Sequence, residues 1–140
     1  MPATPAPSVH DLRAQFETVL EGVLSTESQT VTADTMERRL LSQLLALGRS
    51  LFALFLATRA ATTAADVHRD PAGVERPYHG ERTRAYLSIF GRLAVARPYF
   101  YRNGVGGVAP VDALLSPAAD GVRGPGARDS RGGGRGGSVP

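Results

Sequence analysis

The chain has 140 residues, with no cysteine and no lysine, so its sixteen basic residues are all arginine and neither a disulfide framework nor a thiolate metal site can form. Its net charge of +3 is uneven: residues 1–80 hold seven arginines against nine acids, residues 81–102 five against one, and the remainder four against three. A short basic block beside an acidic stretch suits an anionic partner, and it equally suits a solvated surface.

Residues 1–7, MPATPAP, contain three prolines, and the last twenty residues hold eight glycines, four arginines and two prolines. Neither end buries enough apolar surface to offset its chain entropy, so both are expected to be disordered, leaving about a hundred residues for a core, a marginal number for a lone domain. Ser8 can cap a first amphipathic helix that runs to Leu24, with Asp11 in its first turn and Val9, Leu12, Phe16, Val19, Leu20 and Val23 on one face. The polar run STESQTVT ends it.

A second, leucine-rich helix is expected over residues 34–64, unbroken at Gly48-Arg49, with Asp34 as cap three residues before Glu37. Leu41, Leu44, Gly48, Leu51 and Phe55 advance by alternating threes and fours, the spacing of a coiled-coil seam, and Leu40, Leu47 and Leu54 widen it. A helix apolar over so much of its surface needs cover on more than one side, which the strands that follow or a second copy could supply. Its longest uninterrupted apolar run, residues 51–57, is far short of the roughly twenty residues of a membrane span. With no basic, apolar leader at the N-terminus, the expectation is a cytoplasmic protein without a membrane partner.

Residues 66–81 read as a connector, with a turn at Asp70-Pro71-Ala72-Gly73. His68 and His79 lack regular ligand spacing, so no metal is expected. Residues 82–90 and 93–102 each alternate and flank Gly91-Arg92, which suits a two-residue turn with glycine first. That register pairs Tyr86 with Arg97, Arg84 with Tyr99 and Arg82 with Tyr101 on one face. It leaves a small apolar face, Ala85, Leu87, Ile89, Ala94 and Ala96, to lie on the long helix. The Arg and Tyr ladder is then either a cover for the sheet or a nucleic-acid surface, in which Arg meets phosphate and Tyr stacks on bases. The candidate nucleic-acid residues are Arg82, Arg84, Arg92, Arg97, Arg102, Tyr99 and Tyr101; the candidate self-association residues are Leu41, Leu44, Leu51 and Phe55.

The stretch RTRAYLSIFGRLAVARPYFYRNGVGGVAPVDALLS resembles the N-terminal region of bacterial insertion-sequence transposases of the Kra group, which are DDE-type enzymes. The resemblance rests on Phe90-Gly91, Leu93, Val95, Arg97, Tyr99 to Tyr101, Pro110-Val111-Asp112 and Leu115, with GVERPYHGERTR before them, and covers residues 35–116. It implies a DNA-handling ancestry in a mobile element and in DNA recombination. The family's next helical elements and its catalytic carboxylate domain have no counterpart after Pro117, where Gly/Arg-rich text begins. Asp112, Asp120 and Asp129 are therefore not that triad, and the resemblance implies a truncated or frameshifted, non-catalytic fragment. The tail itself reads as out-of-frame translation or as a disordered arm.

The expected fold class is α+β: a short amphipathic helix and a long leucine-rich helix followed by a β-hairpin, with disordered N- and C-terminal tails. The expected divisions are 1–7 disordered, 8–65 helical, 66–81 connector, 82–116 hairpin and extended loop, and 117–140 disordered tail. No Ser-His-Asp set, phosphate loop or usefully spaced carboxylate cluster is present, so no enzyme, cofactor, metal or small-molecule substrate is expected. Two functions stay open: a transposase N-terminal fragment with weak, nonspecific DNA binding, or a small helical self-association module without nucleic-acid function.

Overall fold

Ser8 begins the first helix as its sequence requires. Its Oγ accepts from the Asp11 amide (3.1 Å) and the Asp11 carboxylate accepts from the Ser8 amide (3.0 Å), closing a capping box on α1, Val9–Leu24. The computed structural model describes residues 2–115, so the Gly/Arg-rich tail lies outside the described residues. A short 3₁₀ segment, Thr26–Thr30, turns the chain back into α2, Ala33–Thr62, which runs unbroken through Gly48. Thirty residues at 1.5 Å each make α2 about 45 Å long.

The cap of α2 is Thr32, not Asp34. Thr32 has the extended backbone of an N-cap and its Oγ1 accepts from the Thr35 amide (3.3 Å), while Asp34 is already helical and pairs with Arg38 one turn on (3.3 Å). By length and composition α2 is apolar enough to cross a membrane, and little of it is buried against the rest of the chain.

The expected connector is itself β-structure. Strand β1, Val67–Arg69, pairs with the start of β2, Glu75–Ser88, through the turn at residues 70–73. Asp70 builds that turn: its Oδ1 accepts from the Val74 amide (2.9 Å), its Oδ2 from Arg76 (3.0 Å), and Gly73 takes the positive φ of 85°. β2 pairs antiparallel with β3, Gly91–Arg102, and β3 with the short β4, Gly106–Val108, giving the order β1-β2-β3-β4. A last turn of helix, α3, spans Asp112–Leu115.

The hairpin closes two residues earlier than its glycine suggests. Ile89 and Phe90 form the loop, Ser88 pairs with Gly91, and Ser88 Oγ accepts from the Phe90 amide (3.1 Å) while donating to the Gly91 carbonyl (2.7 Å). Gly91 supplies its positive φ, 110°, just after the turn instead of within it, the place a bulge-type hairpin uses. Because the slip is an even number of positions, each face keeps its members while every cross-strand partner changes. Tyr86 now faces Leu93, Arg84 faces Val95, and Arg82 faces Arg97; the expected Arg and Tyr pairs do not form.

The face that meets the helix is also the opposite of the one expected. Leu93 and Val95 join Leu56 of α2, Val111 and Leu115 in the core, with Phe52 and Tyr86 packed against them. The small face near the turn is open: Leu87 and Ile89 are 81% and 90% exposed. Further along that face Phe100 is fully buried beneath the His68 and Tyr78 rings. The free edge of β3 is met by Thr4 of the proline-rich leader, whose amide donates to the Ala94 carbonyl and whose Oγ1 accepts from the Ala94 amide, both at 2.8 Å.

Candidate nucleic-acid interface

Alternation along β3 sends Arg97, Tyr99 and Tyr101 to one face, at the end of the strand where β4 pairs with residues 100–102. There four side chains meet. Tyr99 and Tyr101 stack with centroids 6.5 Å apart, His79 lies 6.1 and 5.3 Å from their rings, and the Arg82 guanidinium sits 4.1 Å over Tyr99. Tyr99 is seated on Gly107 of β4, where any Cβ would collide with its phenol. Tyr101, His79 and Arg82 are exposed, so the group is a surface of π-faces edged by a cation, the elements of a base-stacking platform.

The five arginines of the basic block divide. Arg97 donates to Asp112 Oδ2 at 2.5 Å and is 15% exposed; Arg84 reaches Asp112 Oδ1 at 3.3 Å. Directly opposed like charges destabilise a sheet, and Asp112 relieves the Arg82 and Arg97 pair from one side while Tyr99 takes Arg82 on the other. Arg82, Arg92 and Arg102 form no ion pair among the described residues. Sequence reasoning thus named Tyr99, Tyr101 and Arg82 but also two arginines that serve the fold. It did not find His79, which the bulge between Tyr78 and Glu81 brings to this face, or Gly107, the seat of Tyr99. An alternation count that allowed for Gly80, at φ 109°, would have placed His79.

The two histidines considered as ligands are apart in role: His68 packs at a tilt against Phe100, and His79 meets Tyr101 at a tilt and Tyr99 edge-on. Among the described residues no three of His, Asp and Glu come together in a metal-holding set. Acidic groups are tuned only locally. The Val74 amide, then Arg76, holds the Asp70 carboxyl below its ordinary range, and the Ser8 hydroxyl and amide do the same for Asp11.

A second feature is the apolar side of the helical pair. Leu12 and Val19 of α1 are buried, but Phe16, Leu20 and Val23 on the same helix are not, and Leu41, Leu44, Leu51 and Phe55 of α2 are between 43 and 60% exposed. Between the helices runs an open groove of about 470 Å³ lined by Val9, Leu12, Phe16, Leu47, Leu51 and Leu54.

Comparison with known proteins finds no matching family model, no matching curated protein and no matching solved structure.

Proposed function

We propose that this chain is a non-catalytic module of the kind that stands at the N-terminal end of Kra-group transposases, and that it binds nucleic acid weakly, without sequence preference, through the Tyr99, Tyr101, His79 and Arg82 platform. The observation that carries the binding is the exposed ring stack with a guanidinium upon it. The family resemblance has separate support: residues scattered over the motif meet in one folded unit. Leu93, Val95 and Leu115 share the core, Arg97 joins Asp112, and Phe90 lies against Gly48. The motif residues therefore mostly build the fold, and the binding surface is what they leave exposed at the far end of the hairpin.

The platform carries one arginine, Arg82, and each phosphate contact contributes about −0.7 to the slope of log affinity against log salt on single strands and about −0.9 on duplex. The expected slope is about −0.7 on an oligothymidylate single strand and about −0.9 on duplex. Tyr101→Ala weakens single-strand binding about ten-fold, since a stacked base is worth roughly 1–3 kcal/mol, whereas Arg84→Ala leaves it within two-fold because Arg84 is engaged with Asp112. Fluorescence anisotropy across a salt series measures both. Binding absent at low salt, or lost equally with Arg84→Ala and Tyr101→Ala, overturns the assignment of the platform.

A further inference from the structure

The two outer edges of the β2-β3 hairpin are finished differently. Thr4 bonds both the carbonyl and the amide of Ala94, so the Ala94 backbone points out of the hairpin. Ala94 lies opposite Ala85, and opposed residues of an antiparallel pair either bond each other or both point outward. Ala85 therefore turns its amide and carbonyl to the far edge of β2, and so, at the two-residue period, do Thr83 and Leu87. All three residues are exposed, and none has a backbone bond outside the hairpin among the described residues. β1 covers only the start of this edge, and its cover ends where the Tyr78 amide donates to the Asp66 carbonyl. Residues 81–88 are left as an uncapped edge without proline, a template for another strand.

We infer that two copies of this chain join edge to edge along β2, antiparallel, with their two-fold axis at Ala85. The residues along the strand single out this register. Centred on Thr83, the pairing sets Arg82 against the partner's Arg84, and centred on Arg84 it sets that arginine against its own copy; like charges directly opposed destabilise a sheet. Centred on Tyr86, it carries Thr83 to the partner's Ile89, which is a turn residue. Centred on Ala85, it sets Thr83 against the partner's Leu87, Arg84 against the partner's Tyr86 and Arg82 against the partner's Ser88, each twice. Thr83, Ala85 and Leu87 of both copies then exchange about six backbone hydrogen bonds. Arginine beside tyrosine is a favourable cross-strand neighbour, and Leu87, 81% exposed in the single chain, gains the partner's Thr83. The length fits as well: the partner's strand ends at its turn, opposite Glu81, short of the place at Tyr78 that Asp66 already holds. The contact is self-complementary, as a two-fold requires. It does not rest on nucleic-acid binding, since His79 precedes the paired stretch and Tyr99 and Tyr101 stand on β3.

The chain has no cysteine, so single cysteines on this edge report the pairing without background. Thr83→Cys, Ala85→Cys and Leu87→Cys are each oxidised in the full chain at tens of micromolar. On the axis the two Cα atoms stand about 5.5 Å apart, within disulfide reach, whereas Thr83 and Leu87 each lie about 13 Å along the strand from their own copies, beyond it. Ala85→Cys is expected to give a covalent dimer, and the other two singly under about a tenth of that yield, while an equal mixture of Thr83→Cys and Leu87→Cys gives the mixed dimer. Ala85→Arg puts like charges on the axis and is expected to turn the dimer seen by sedimentation velocity into a monomer with unchanged circular dichroism. The cross-linking yields keep the test decisive if Ala85→Arg fails to fold. Equal yields from the three single cysteines, the mark of chance collision, overturn the proposal. So does a parent chain that sediments as a monomer at these concentrations, and so does a dimer untouched by Ala85→Arg, which would place the contact elsewhere on the chain.

Discussion

Asp112 carries two arginines on one carboxylate, and Arg97 is the more enclosed of the two. Removing the acid leaves a guanidinium that is 15% exposed without its charge partner, so Asp112→Ala should lower stability by roughly 1–3 kcal/mol. Arg84→Ala, at a pair near 40% exposed on both sides, should lower it by less than about 1 kcal/mol. Urea unfolding separates the two, and equal effects would mean that Arg97 gains nothing from its enclosure. Asp70 gives a pH dependence of definite sign. Its carboxyl is held below the ordinary value of 3.8, chiefly by the Val74 amide and then by Arg76, so its contribution is complete above that value and is lost as pH falls through the depressed one. The 70–74 turn should therefore loosen only in strong acid. Asp70→Asn should weaken the turn near neutrality and reduce its acid sensitivity, seen as loss of amide protection at Val74 in hydrogen exchange.

At the scale of elements, α2 and the hairpin tip are joined by a glycine under an aromatic ring. A Cβ at Gly48 would stand 2.5 Å from Phe90, whose ring is also 6.3 Å from that of Phe52. Gly48→Ala gains about 1 kcal/mol of helix propensity and loses roughly 1–3 kcal/mol to overpacking, so it should be neutral or destabilising alone. In a Phe90→Ala background the same change should stabilise by about 1 kcal/mol. A gain of the same size in both backgrounds would show that the ring does not rest on that glycine. The helices were legible because their signals are local: a capping pair at Ser8 and Asp11, and a 3.6-residue period through residues 41–56. The hairpin was legible in kind but not in register. Glycine with positive φ serves either inside a turn or just after it, and only the Ser88 bonds and the Gly48 seat for Phe90 decide which. β1 and β4, three residues each, draw their stability from neighbours, which no local pattern records. In the site, Tyr99, Tyr101 and Arg82 could be read from alternation. The capture of Arg84 and Arg97 by Asp112 could not, because it depends on how α3 folds back on β3.

The whole molecule hangs on a small core at one place along a long helix. Leu56, 3% exposed, is the α2 residue buried with Leu93, Val95, Val111 and Leu115. α1 in turn buries only Leu12 and Val19. A core of this size places the chain near the lower end of the 5–15 kcal/mol usual for domains. Truncating a buried leucine costs about 2–5 kcal/mol, transfer and cavity together, so Leu56→Ala removes much of what holds the sheet to the helices. It is expected to abolish a cooperative thermal transition while much of the helical ellipticity survives, since α2 is capped and rich in helix-formers. Leu44→Ala, at an exposed position on the same helix, should change monomer stability by no more than about 0.5 kcal/mol. Calorimetry and circular dichroism on both variants, at concentrations low enough to hold the chain monomeric, distinguish the cases. If Leu56→Ala keeps a sharp transition within about 1 kcal/mol of the parent, the sheet must be held by its own strand pairs and the α2 contact would be incidental. A loss on Leu44→Ala as large as that on Leu56→Ala would show that Leu44 is packed within the monomer instead of facing solvent.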